Sequence, residues 1–104
     1  MPRDESNLSI FVYVLKLVRR ESFGRMSSQE EAVVDEHFEY LKKALVEGKL
    51  TLAGQCVDGE FGLVIFRAES EKQADEFMKN DPAVKKGAMT AEMHPFIIAL
   101  TEKN

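Results

Sequence analysis

The sequence predicts a single α+β domain: a four-stranded antiparallel sheet carrying two helices, in the chain order βαββαβ. Three observations lead there. Leu8 to Val18 and Phe61 to Arg67 are apolar on both alternating faces, as strands covered on both sides would be. Capping boxes at Ser27/Ser28 and at Ser70 open two segments with apolar residues at helical spacing. A length of 104 residues suffices for one hydrophobic core but not for two, so the domain is expected over 1–104 with its core at 8–100.

In the first strand, Ile10, Val12 and Val14 point one way and Phe11, Tyr13, Leu15 and Leu17 the other. Arg19 to Met26 breaks the alternation and reads as a loop, where three arginines either meet solvent or greet an anion. A helix starts near Ser28, its acidic first turn suiting the helix dipole. Within it Val34, Phe38, Leu41 and Leu45 form one apolar stripe, with His37 about 100° of rotation from Phe38, at the flank. Gly48 supplies a left-handed stop. Leu50 to Val57 follows as a buried strand, Leu50, Leu52 and Gly54 alternating with Thr51 and Ala53. Asp58-Gly59 signals a two-residue hairpin into the Phe61–Arg67 strand. The second helix places Ala74, Phe77 and Met78 on one face and stops at Asn80-Asp81-Pro82. Pro82 to Gly87 fits a short helical turn. Met89 to Leu100 is the last strand, at an edge because of Pro95, and Lys103-Asn104 frays.

This order is the ferredoxin-like split βαβ arrangement, with strands in spatial order 4-1-3-2 and both helices on one face. The other face is then apolar and uncovered, and a patch of that size rarely meets water. A second copy packing sheet against sheet resolves this, so a homodimer is expected. The same topology brings Asp81, just past the second helix, to the rim from which the helix of His37 starts.

Composition excludes several classes. The net charge is −4 with both signs interspersed, which leaves no nucleic-acid footprint. No apolar run is long enough to cross a bilayer. Cys56 is the sole cysteine, so no internal disulfide forms, and the opening Met1 to Asn7 is unlike a secretory signal. The expected location is the cytoplasm. Two histidines and one cysteine without ligand spacing argue against a metal site, and no glycine-rich phosphate loop is present. No cofactor is expected.

His37 is the leading candidate for chemistry, because an imidazole accepts and returns a proton near neutral pH. The alternative is a satisfied histidine at the core's border. Asp81 suits two roles: a carboxylate orienting the far ring nitrogen, and an N-cap for the turn opened by Pro82. Tyr40 lies one helical turn from His37 and either offers a hydroxyl or packs in the core. His94, on the edge strand, is either structural or lines the pocket. Cys56 carries no sign of a reactive thiol.

Taken together, Glu36-His37-Phe38-Glu39-Tyr40-Leu41, Glu47-Gly48-Lys49-Leu50 to Ala53-Gly54, Asp81-Pro82-Ala83-Val84 with Gly87, and His94-Pro95-Phe96 resemble the YCII-related proteins. The resemblance spans Leu8 to Leu100. It implies a dimeric α+β barrel similar to muconolactone isomerases, with His37 and Asp81 as the active-site pair. Many members carry Arg-Pro-Ala before the histidine where this chain has Val34-Asp35-Glu36, and proline after the strand glycine where it has Gln55. The first difference removes a cation, for which Arg19, Arg20 or Arg25 could stand in. The function this implies is cofactor-free acid–base chemistry, isomerisation or elimination, on a small molecule such as a lactone. Arg25, Tyr40 and His94 are then candidates to hold the substrate. The competing expectation is a non-catalytic dimeric protein whose cleft binds a metabolite or a partner peptide.

Overall fold

The computed structural model describes residues 9–102. The polar lead Met1 to Asn7, Leu8 and the expected fraying at Lys103-Asn104 lie outside the described residues. The elements are β1 (Ser9–Leu17), α1 (Ser28–Val46), β2 (Leu50–Gln55), β3 (Gly62–Ala68), α2 (Glu71–Lys79), α3 (Pro82–Lys85) and β4 (Met89–Phe96). A 3-10 turn over Arg20–Ser22 follows β1. The sheet order is β2-β3-β1-β4 and all three pairings are antiparallel, as the βαββαβ order predicts.

Local chemistry sets the helix bounds. The Glu30 N–H donates to Ser27 Oγ and the Ser27 N–H donates to Glu30 Oε1, a complete capping box. Gly48, at φ +81°, ends α1 in the left-handed region. Ser70 caps α2 by accepting from the Gln73 N–H; the Gln73 side chain returns to the Glu69 N–H, one residue before the reciprocal position of a box. Pro82 opens α3 at its first turn, with Asp81 as its cap.

One face of the sheet builds the core. Phe11, Tyr13 and Leu15 of β1, with Val64, Phe66 and Ala68 of β3, pack against Leu41, Ala74 and Met78 of the helices. Phe77 joins them, its ring 4.6 Å from that of Phe66 and 5.0 Å from that of Tyr40. The other face carries Val12 and Ile65 at its centre, flanked by Val14 and Leu63 and by the polar His94, Glu92 and Arg67, as the registers require.

Four expectations need correction. The turn between β2 and β3 is not a two-residue hairpin. The Gly59 N–H donates to the Cys56 carbonyl and the Cys56 N–H to the Phe61 carbonyl, so Val57 and Asp58 occupy the turn and Gly59 follows at φ +80°. β2 is an exposed edge strand rather than a buried one, and it ends at Gln55. A register shift between Leu50 and Leu52 leaves Thr51 as an extra residue, so Leu50 and Leu52 sit on opposite faces. Finally, of the stripe Val34, Phe38, Leu41 and Leu45 only Leu41 is buried; Phe38 is 59% and Leu45 55% exposed. β4 also stops at Phe96, short of Leu100.

Candidate active site

The helical stripe faces a cavity rather than the core. Between α1 and the β2–β3 half of the sheet lies an open, mainly apolar hollow of about 550 Å³, into which Val34, His37, Phe38, Leu41 and Leu45 all face. Leu15 and Leu17 of β1, Met89 of β4 and residues of β2 and β3 line its sheet side. One end is closed by Phe23, Met26, Gly59 and Phe61. That end is made by the loop after β1 folding over the hairpin: a Cβ at Gly59 would lie 2.6 Å from the Phe23 ring. Arg20 donates twice to Glu60, at 3.1 and 2.9 Å, and Arg19 twice to Glu30, at 3.2 and 2.9 Å. Both arginines are thus committed to holding the loop, which answers the question their clustering raised.

His37 sits where the cavity meets the core, its side chain only 14% exposed. Its Nδ1 lies 2.7 Å from Asp81 Oδ1 and 2.8 Å from Oδ2. Facing a carboxylate, Nδ1 carries the proton and donates it, which leaves the lone pair on Nε2. Nε2 has no partner among the described residues and is not buried, so it opens to the cavity that His37 lines.

The Asp81 carboxylate is fully buried, at 0% exposure. An anion placed there needs full hydrogen bonding, because an unpaired buried charge costs several kcal/mol. Three donors supply it. The Tyr13 hydroxyl donates to Oδ2 at 2.7 Å, the Ala83 N–H donates to Oδ1 at 2.9 Å, and the His37 ring bridges both oxygens. One carboxylate therefore caps α3 and binds the imidazole at once. Burial, reinforced by the Asp81 charge and its hydrogen bond, pushes the Tyr13 hydroxyl far above tyrosine's ordinary value, so it stays a donor. Beside the site, Lys86 Nζ meets Glu36 Oε1 at 2.7 Å and ties α3 to the turn of α1 that carries His37.

The remaining candidates are placed as follows. Tyr40 donates to the Phe77 carbonyl at 2.8 Å and stacks on its ring; burial, then the Asp81 charge, pushes its hydroxyl up to about 12. It belongs to the packing behind Asp81 and does not line the cavity. His94 stands opposite Val12, on the face away from His37, and bonds Glu92 at 2.9 Å. Arg25 is exposed in the loop and does not line the cavity either. Tyr13 and Lys42 were not singled out from sequence. A hydroxyl among the inward residues of a core strand was a signal for Tyr13, since such a group needs a buried partner. Among the described residues no three His, Cys, Asp or Glu side chains gather as metal ligands, and no helix is long and apolar enough to cross a membrane.

No curated protein matches the sequence. Among solved structures the fold is similar to that of 5-chloro-2-hydroxyhydroquinone dehydrochlorinase from Burkholderia phenoliruptrix AC1100, in complex with 2,5-dihydroxybenzoquinone. The TM-score is 0.59 at 19% identity, over 84% of this chain and 93% of that one, a likeness of fold. The YCII-related domain matches residues 11–96, which include the whole His37–Asp81–Tyr13 network and every described residue of the cavity wall, and the chain belongs to the YCII-related family.

Proposed function

We propose that the chain is an enzyme that moves a proton on a small organic molecule bound in the cavity, with His37 as general acid–base and Asp81 as the group that orients it. The observation that carries this reading is the polarity of the ring: Nδ1 is held by a buried carboxylate, and Nε2 is free and opens into an apolar hollow. In that arrangement Nε2 takes a proton from an acidic C–H or O–H, and the imidazolium that forms is stabilised by Asp81. Returning the proton to another atom gives isomerisation. If instead the electron pair of the broken C–H bond forms a double bond while a leaving group on the adjacent carbon departs with the pair of its own bond, the result is elimination. The structural neighbour is named a dehydrochlorinase, which favours adding halogenated hydroquinones to lactones among the compounds to try.

The test does not require the product to be known. Lactones and hydroxylated or halogenated quinols are incubated with the protein in deuterated water, and exchange of acidic C–H positions is followed by NMR. His37→Gln, which keeps size and polarity, should slow exchange on the order of a hundredfold or more. Exchange at the wild-type rate in that variant would end the acid–base reading. Saturable binding with no exchange by either protein would favour the second reading, a binding protein, which the apolar character of the wall supports. We further propose that the protein works in the cytoplasm as a homodimer, packed through the sheet face that carries no helix.

A further inference from the structure

His37 is not the only ionisable group on the cavity wall. Among the described residues Lys42 is the other, and none of those lining the wall is a carboxylate; Thr51 and Gln55 are the neutral polar side chains. Lys42 follows His37 by five residues on α1, about 7.5 Å along the axis and about 140° around it. Val34, Phe38, Leu41 and Leu45 fall between the two in rotation. His37 therefore stands at the core edge of the apolar stripe and Lys42 at its solvent edge. The Lys42 ammonium lies 5.4 Å from the centre of the Phe38 ring, an arrangement that keeps it over the mouth. Its ionic partner is Glu39 at 3.3 Å, an exposed pair three residues apart that contributes little. Arg19 and Arg20 are taken by Glu30 and Glu60, and Arg25 is not on the wall.

We propose that Lys42 is the anion-binding residue of this cavity, and that its ligands are singly anionic molecules with an apolar, ring-sized body, such as phenolates, enolates or aromatic carboxylates. The body lies over Leu41 and Phe38, the anionic oxygen meets the ammonium at the mouth, and the opposite end reaches His37 Nε2. Only this last contact rests on the proton-transfer reading. Near an apolar wall a charge-assisted bond is stronger than in water, which lets a ligand displace the weak Glu39 pair.

Two probes of one shape separate charge from burial: 8-anilinonaphthalene-1-sulfonate and uncharged N-phenyl-1-naphthylamine, titrated by fluorescence at low salt. Lys42→Gln should weaken the anionic probe about tenfold, as expected for loss of one charge-assisted bond, and change the neutral probe less than about twofold. Lys42 is 54% exposed and bonded only at the surface, so the variant keeps the fold. His37→Gln should keep the preference for the anionic probe. Equal effects of Lys42→Gln on both probes, or on neither, would overturn the proposal. So would failure of both to bind. Retained anion preference together with wild-type proton exchange in His37→Gln would overturn the catalytic reading alone.

Discussion

Replacing Tyr13 by phenylalanine isolates the bond between its hydroxyl and Asp81. The ring stays, and with it the packing against Phe66 and Phe77 at centroid distances of 5.7 and 6.2 Å, so no cavity forms. What is lost is one 2.7 Å hydrogen bond to a fully buried carboxylate, which then keeps two of its three donors. A bond to a charged group of this kind is worth about 2 kcal/mol. At neutral pH the variant should unfold in urea with an unchanged slope and a free energy about 2 kcal/mol lower, both proteins compared at one concentration. The pH dependence gives an independent check. In the folded protein the Tyr13 hydroxyl is held well above 10.0, the value it regains on unfolding. Its stabilisation is therefore complete below pH 10.0 and is lost as pH rises, because the unfolded chain releases a proton that the folded chain retains. One pH unit above that value, the gap between wild type and variant should have shrunk by about 1.4 kcal/mol. Tyr40, the only other tyrosine, is present in both proteins and cancels. A loss below about 0.5 kcal/mol at neutral pH, or a gap that stays constant on alkalinisation, would refute the assignment of Tyr13 as a donor to a buried charge.

Asp81→Asn keeps the cap on α3 but offers an N–H to His37, so nitrogen NMR should find the ring proton moved from Nδ1 to Nε2, and proton exchange on any substrate should collapse; an unmoved tautomer would contradict the oriented-imidazole reading. Asp81→Ala leaves three donors without an acceptor and should cost about 3 kcal/mol, read by the same urea titration. Glu30 is held well below the usual carboxylate value by its bonds from Arg19, then Ser22 and the Ser27 N–H, so its stabilisation is present above pH 4.5 and lost as pH falls. Glu30→Gln should flatten the acid limb of the stability curve, and a limb as steep as wild type would count against this. Sedimentation at micromolar concentration should give about twice the mass of one chain; a monodisperse monomer would overturn the homodimer proposal.

Strand order, helix bounds and the proximity of Asp81 to His37 were legible because each rests on short-range chemistry or on topology. Ser27 with Glu30, Gly48 and Pro82 mark their helix ends whatever the tertiary context. The antiparallel run of α1 and α2 then leaves Asp81 beside the turn of α1 that bears His37. The orientation of α1 was not legible. Phe38 and Leu45 have the spacing of core residues, and periodicity registers which side chains share a face without registering whether that face meets protein or a hollow. The extra residue at Thr51 reversed the faces of β2 for a related reason, since Leu50, Leu52 and Gly54 alternate well enough to conceal a bulge. Arg25, Arg19 and Arg20 shared charge and loop position; only the partners Glu30 and Glu60 separate two of them as ties. His94 could be assigned to a face only once its register opposite Val12 was known.

Two parts of the cavity wall differ in how freely they can vary. Around His37, Asp81 and Tyr13 are fully buried and the ring is bound to Asp81, so a change there alters folding as well as the site. Under the loop after β1 the wall consists of Phe23 laid on Gly59, outside the core cluster and half open to water. A larger or smaller side chain at Phe23 would reshape that wall while leaving the sheet and helices as they are. Gly59 is the fixed point, since its φ of +80° and the ring above it both exclude a side chain. Substitution in that one loop can therefore reshape the cavity while the His37–Asp81–Tyr13 network stays as it is.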